Sequence, residues 1–150
     1  MSLIRYMLQK TSPIFMRSFS STSRLNDIYY TTDHETVLTD EDTNIVKIGI
    51  SDYARKTLGD IVFLETEVEI DDTFEQGEAI VSIESVKASS EVFAPFDGKV
   101  VDVNEIEDLD TISDLSEDQL WFVSCEIESK TILTDLMCPD EYNIYISKFD

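Results

Sequence analysis

Short runs in which apolar and polar residues alternate recur between residues 44 and 127, and a period of two is the mark of half-buried strands. Asn44 to Ile50 places Val46, Ile48 and Ile50 on one side of a strand with Lys47 opposite, and Asp60 to Glu65 predicts a second strand. Between them Ser51 is placed to cap a short helix carrying Ala54 and Leu58 on one face, with Gly59 supplying the left-handed residue that ends it. Asp71 to Gly77 is polar and suits a turn, after which Glu78 to Glu84 aligns Ala79, Val81 and Ile83. The pattern pauses over Ser85 to Ser89 and resumes at Val92 and Ala94; a second turn signal, Phe96-Asp97-Gly98, precedes Lys99 to Val103. Trp121 to Ile127 alternates again, with Trp121, Val123, Cys125 and Ile127 on one face.

Elsewhere the period changes. Asn104 to Leu120 holds seven acids in seventeen positions without Gly or Pro, and reads as a loop with one or two short acidic helices. Leu133, Leu136 and Met137 follow helical spacing, and Pro139-Asp140-Glu141 suits the first turn of a final helix that ends near Lys148 and presents Tyr142, Tyr145 and Ile146. The sum is an all-β body with short helices at its periphery.

With 150 residues the chain has room for one ordinary core, and 42% hydrophobic residues suffice to build it. Residues 1–26 differ from the rest: they are rich in Ser, Arg and apolar residues and contain no acid, the composition of a mitochondrial transit peptide. Leu3, Met7 and Leu8 share a helical face around Arg5, and the stretch from Arg17 to Thr22 suits a processing signal, so removal between Ser18 and Asp27 and residence in the mitochondrial matrix are expected. The remainder, residues 27–150, carries seven basic residues against 32 acidic ones, a formal charge of -25. Such a field repels nucleic-acid phosphates and anionic lipid and favours basic protein surfaces. No apolar run approaches the roughly 18 residues of a membrane-spanning helix, and a soluble protein is expected. Cys125 and Cys138 lack C-x-x-C spacing and read as free thiols, Cys125 as a small buried hydrophobe.

The pause at Ser85 to Ser89 puts Lys87 at the apex of a tight hairpin, where its amine projects into solvent. That is the geometry a covalent carrier needs, because a lysine stem is flexible and ends in an amine able to form an amide. Neither a His cluster, a G-x-S-x-G nor a Gly-rich phosphate loop is present to point to catalysis by the chain itself.

Glu84-Ser85-Val86-Lys87-Ala88, followed by Ala94-Pro95 and by Gly98, resembles the lipoyl-attachment signature of glycine cleavage H-proteins. Ile48 to Ala54, Leu58 to Val62 and the His34-Glu35 pair are also similar to that family, and the likeness runs from about His34 to Glu105 and returns at Trp121. The resemblance implies the lipoyl/biotinyl carrier fold, a flattened barrel of two antiparallel sheets with short peripheral helices. It implies lipoic acid amide-linked to Lys87, Glu84 as the acid by which lipoylating enzymes recognise the hairpin, and Glu35, Glu91 and His34 as residues lining a cleft for the loaded arm. It further implies a monomeric carrier, not an enzyme, that moves the aminomethyl group of glycine from a glycine decarboxylase (P-protein) to an aminomethyltransferase (T-protein) and is reoxidised by dihydrolipoyl dehydrogenase (L-protein). The alternative is a lipoyl-relay protein supplying lipoyl groups to 2-oxoacid dehydrogenases, which would keep Lys87 and Glu84 and not need the cleft. A biotin carrier is disfavoured because Val86 and Ala88 flank the lysine where methionines are usual. The chain departs from the family at Thr36, where an aromatic is usual, at Val81, where a small residue is usual, and at Leu120, where a glycine is usual. The N-P and S-P-Y elements between the last strands are absent, and these departures fall in the region expected to dock the peripheral helices.

Overall fold

A computed structural model describes residues 27–149; the leader expected over 1–26 lies outside the described residues. The alternating runs form strands as the pattern requires, and further strands appear where no alternation exists. In chain order these are β1 Ile28–Tyr30, β2 Glu35–Thr39, β3 Ile45–Ile50, β4 Ile61–Thr66, β5 Thr73–Phe74, β6 Ala79–Ser85, β7 Ser89–Phe93, β8 Gly98–Val103 and β9 Trp121–Glu126. Helix α1 spans Asp52–Leu58 and α2 Pro139–Ile146, and short 3-10 helices occupy Leu109–Asp114, Lys130–Asp135 and Ser147–Phe149.

Two antiparallel sheets result, one of six strands in the order β1-β2-β3-β9-β8-β5 and one of three in the order β4-β6-β7. They do not close into a single barrel, but their inner faces share one apolar core in which Val46, Ile48, Val100 and Val123 of the large sheet meet Val81, Ile83 and Val92 of the small one. Burying such side chains contributes roughly 1.5–3 kcal/mol each. Ser51 caps α1 by accepting a hydrogen bond from the Ala54 N–H, and Gly59 ends it with φ 79 and ψ -149. The helix thus stops in a conformation that a residue with a Cβ avoids.

Two expectations need correction. Trp121 does not join Val123 and Cys125 on the inner face: register shifts on both sides of β9 interrupt its alternation, so Phe122, Val123, Ser124 and Cys125 are all buried. Trp121 is half-buried instead, with the Lys47 ammonium 4.8 Å from its ring centroid. In β6 a similar shift between Ala79 and Val81 buries Ile80 beside Val81.

The departures at positions 36 and 120 turn out to be neighbours. Thr36 pairs with Gly49, and a Cβ on Gly49 would lie 2.1 Å from the Leu120 carbonyl oxygen and 3.1 Å from Thr36 Oγ1. A smaller residue at 36 and a larger one at 120 therefore converge on one spot, where Leu120 is buried and the Thr36 hydroxyl has no hydrogen-bond partner.

Candidate functional site

The hairpin between β6 and β7 has an apex of three residues, Val86, Lys87 and Ala88, all exposed. Ser85 closes it: its N–H donates to the Ala88 carbonyl at 2.8 Å, and its Oγ accepts from the N–H groups of both Lys87 and Ala88 at 3.1 Å. The Val86 N–H donates to the Asp60 carbonyl at 3.0 Å and ties the apex to the start of β4. The backbone is thus fixed while the Lys87 side chain is free to move.

Lys87 lies across Gly59, whose missing Cβ would sit 3.3 Å from Lys87 Cε, and its Nζ reaches the Thr57 carbonyl at 3.5 Å. This single long contact at the end of α1 is too weak to hold the amine. Glu84 is exposed, three residues before Lys87, and pairs across the sheet with Phe63 on one side and Ser89 on the other. Along β7, Ser89, Glu91 and Phe93 share the outward face and Val92 points into the core.

That outward row leads from the apex to a cleft of about 630 Å³ lined by Phe93, Pro95, Phe96, Leu136, Met137 and Glu35 among others. Glu35 is only 3% exposed. One carboxylate oxygen accepts from the Thr31 hydroxyl and the other from the Phe93 N–H at 3.2 Å. Burial pushes its carboxyl above the ordinary range, and the two hydrogen bonds pull the other way.

Of the three residues expected around the cleft, Glu35 alone lines it. Glu91 is exposed on β7, on the path from the hairpin. His34 is turned aside by its own backbone, at φ 73, into an aromatic cluster with Tyr53, Tyr142 and Tyr145. There its Nδ1 is 2.8 Å from the Tyr142 hydroxyl, which also contacts Ser51 Oγ at 2.7 Å. Burial lowers the His34 pKa and raises that of Tyr142 to about 12. The sequence reading missed the cleft walls, where Phe93 meets Leu136 and Met137 from more than forty residues away in the chain. Their shared apolar character carries no local signal.

Among the described residues no group of His, Cys, Asp or Glu is arranged to hold a metal ion, and no helix is long and apolar enough to cross a membrane. Cys125 is buried, with its thiol pushed up to about 12, and so makes a poor nucleophile.

The family model for the glycine cleavage H-protein matches residues 28–149. Curated relatives named glycine cleavage system H protein include one from Halothermothrix orenii, 38% identical over 126 residues that cover 83% of this chain and 96% of the relative. One from Clostridium botulinum is 39% identical over 128 residues, covering 84% and 95%. The crystal structure of a glycine cleavage system H protein from Mycobacterium marinum superposes with a TM-score of 0.67 at 29% identity, covering 82% of this chain and 96% of that one. The match spans every strand from β1 to β9 and includes the Lys87 hairpin and the Glu35 cleft, so the chain belongs to the glycine cleavage H-protein family.

Proposed function

We propose that this chain carries a lipoyl group on Lys87 and uses it to move the aminomethyl group of glycine between enzymes of the glycine cleavage system. The observation that carries the reading is the hairpin itself: a backbone pinned by Ser85 presents one exposed amine on a flexible stem. When attached, the lipoyl dithiolane supplies a disulfide that accepts a carbon group and two electrons. The protein's part is placement. Ser85 and the Asp60 carbonyl hold the apex, and Gly59 leaves room for the lysine stem.

The cleft fits an amine cargo. Phe93, Pro95, Phe96 and Leu136 give it an apolar wall, and Glu35 offers a buried carboxylate beside them. A cationic amine beside Glu35 would offset the burial that now disfavours its charge. From Lys87 to Phe93 is six residues, no more than about 20 Å of extended strand, and Glu91 lies on the same face between them. Glu35 and Glu91 are thus proposed to receive the loaded arm, and Glu84 to mark the hairpin for the lipoylating enzyme. His34 is assigned a structural part, as a partner of Tyr142.

The decarboxylase, the aminomethyltransferase and dihydrolipoyl dehydrogenase are the proposed partners, met transiently by a monomer that carries and does not catalyse. The mitochondrial matrix is the proposed compartment. Its support is the acid-free, Arg- and Ser-rich segment 1–26, which precedes the start of the family match at residue 28.

Intact mass of the protein isolated from its own cells tests attachment and leader together. The expected polypeptide begins between residues 19 and 27 and carries one lipoyl adduct, which Lys87→Arg removes along with glycine–bicarbonate exchange. A full-length chain with a bare Lys87 would overturn both proposals.

A further inference from the structure

The Lys87 end of the small sheet exposes three apolar side chains, one of which regular alternation would have buried. In β4, Ile61 points inward, Val62 outward, and Phe63 should return to the core. A register shift between Ile61 and Phe63 breaks the sequence, and both residues face solvent, Val62 at 56% and Phe63 at 43% exposure. A bulge that turns a phenylalanine outward forgoes the stabilisation its burial would give, and bulges recur where a side chain is re-aimed for function. Val86, at the apex beside Lys87, is 66% exposed. Register brings the three to one end of the sheet: Phe63 lies opposite Glu84, two residues before Val86, and the Val86 N–H is bonded to the carbonyl of Asp60, two residues before Val62.

We propose that Val62, Phe63 and Val86 form the docking surface for the enzyme that acylates Lys87, a partner with an apolar recess and a basic rim. This rests on the carrier reading above. The choice of occupant follows from reach: an enzyme that acts on Nζ must bring its active site within one lysine side chain of the apex, so it covers the residues beside Lys87. Enzymes that act on the far end of a long tether need not touch them. Charge supplies the rim. Glu84 sits directly across from Phe63, and Asp60, Glu65 and Glu91 are exposed on the same sheet or at its edge, with Lys87 the one basic residue in β4, β6, β7 and the β6–β7 turn. Apolar anchors ringed by complementary charge are the usual composition of an interface that binds tightly at its centre and is steered from its edge.

The test is the rate at which a lipoate–protein ligase, supplied with ATP and lipoate, adds mass to the purified chain. The reaction forms one amide at Nζ from an acyl-adenylate, with release of AMP and a proton. Phe63→Ser combined with Val86→Ser is expected to raise the KM for the carrier at least about tenfold and leave kcat within about twofold. Ile144→Ser, which removes an equally exposed apolar residue on α2, is expected to change neither. Because both altered side chains face solvent, the midpoint of thermal unfolding of the double variant is expected to match that of the parent. Unchanged KM, or a fall in unfolding temperature large enough to show that the two side chains serve the core, would overturn the docking surface alone. A parent chain that takes no adduct would overturn the carrier reading, and the surface with it.

Discussion

Glu35 is a buried acid at the wall of the cleft. It belongs to a strand whose five residues are all buried, and its carboxylate has two donors, the Thr31 hydroxyl and the Phe93 N–H. Burial nevertheless dominates and raises its pKa from the ordinary 4.5. The folded state therefore binds this proton more tightly than the unfolded chain does. The stability it contributes is complete below pH 4.5 and is lost as pH rises through the raised folded value. Glu35→Gln keeps the shape and cannot ionise, so near pH 8 the variant is expected to unfold at a higher temperature than the parent. The difference is expected to shrink as pH falls through the raised folded value to below 4.5, where both side chains are neutral. Thermal unfolding followed by circular dichroism across that range reads the effect. Parallel curves for the two proteins would show that the carboxylate pays no desolvation cost. On the proposed reading, the cargo amine is the partner that would offset this cost.

At the scale of elements, one hydroxyl ties three of them together. Tyr142 projects from α2, stacks on Tyr30 of β1 with ring centroids 4.1 Å apart, and meets both Ser51, the cap of α1, and His34 just before β2. Tyr142→Phe keeps the stacking and removes both contacts, leaving His34 Nδ1 and Ser51 Oγ with one partner fewer. A loss of about 1–3 kcal/mol is expected, read by denaturant unfolding, with faster amide exchange in α2. An unchanged midpoint would mean that stacking alone seats the helix. Nothing local in the sequence announces this junction, for His34 and Ser51 lie 108 and 91 residues from Tyr142. Strands β3, β4, β6, β8 and β9 were legible because one face of each is apolar for most of its length. Strand β2 was not, since Glu35, Thr36 and Thr39 are buried alongside Val37 and Leu38 and no period survives. The Lys87 hairpin was legible from the pause in alternation and the serines around it. The outward turn of Phe63 was not, because a register shift is a property of two paired strands and appears in neither one alone.

Across the whole molecule the governing quantity is charge. Residues 27–150 carry a formal -25, and an excess of one sign this large acts in two directions. It repels itself within the fold, and it attracts any partner with a basic face from beyond contact range. Salt screens both, with a Debye length falling from roughly 30 Å at 0.01 M to about 8 Å at 0.15 M. The two effects have opposite consequences for measurement. Added salt is expected to raise the midpoint of thermal unfolding by relieving self-repulsion. Over the same range, about 0.01 to 0.15 M, the KM of glycine decarboxylase for the lipoylated carrier is expected to rise several-fold as steering is lost. Measuring both on one preparation separates steering from damage, because salt that weakened the encounter by loosening the fold would lower the unfolding temperature. A KM independent of salt would leave the acidic surface with solubility as its only role. A KM that rises together with the unfolding temperature places the field in recognition, where a carrier that must leave each enzyme soon after meeting it gains more from fast arrival than from tight holding.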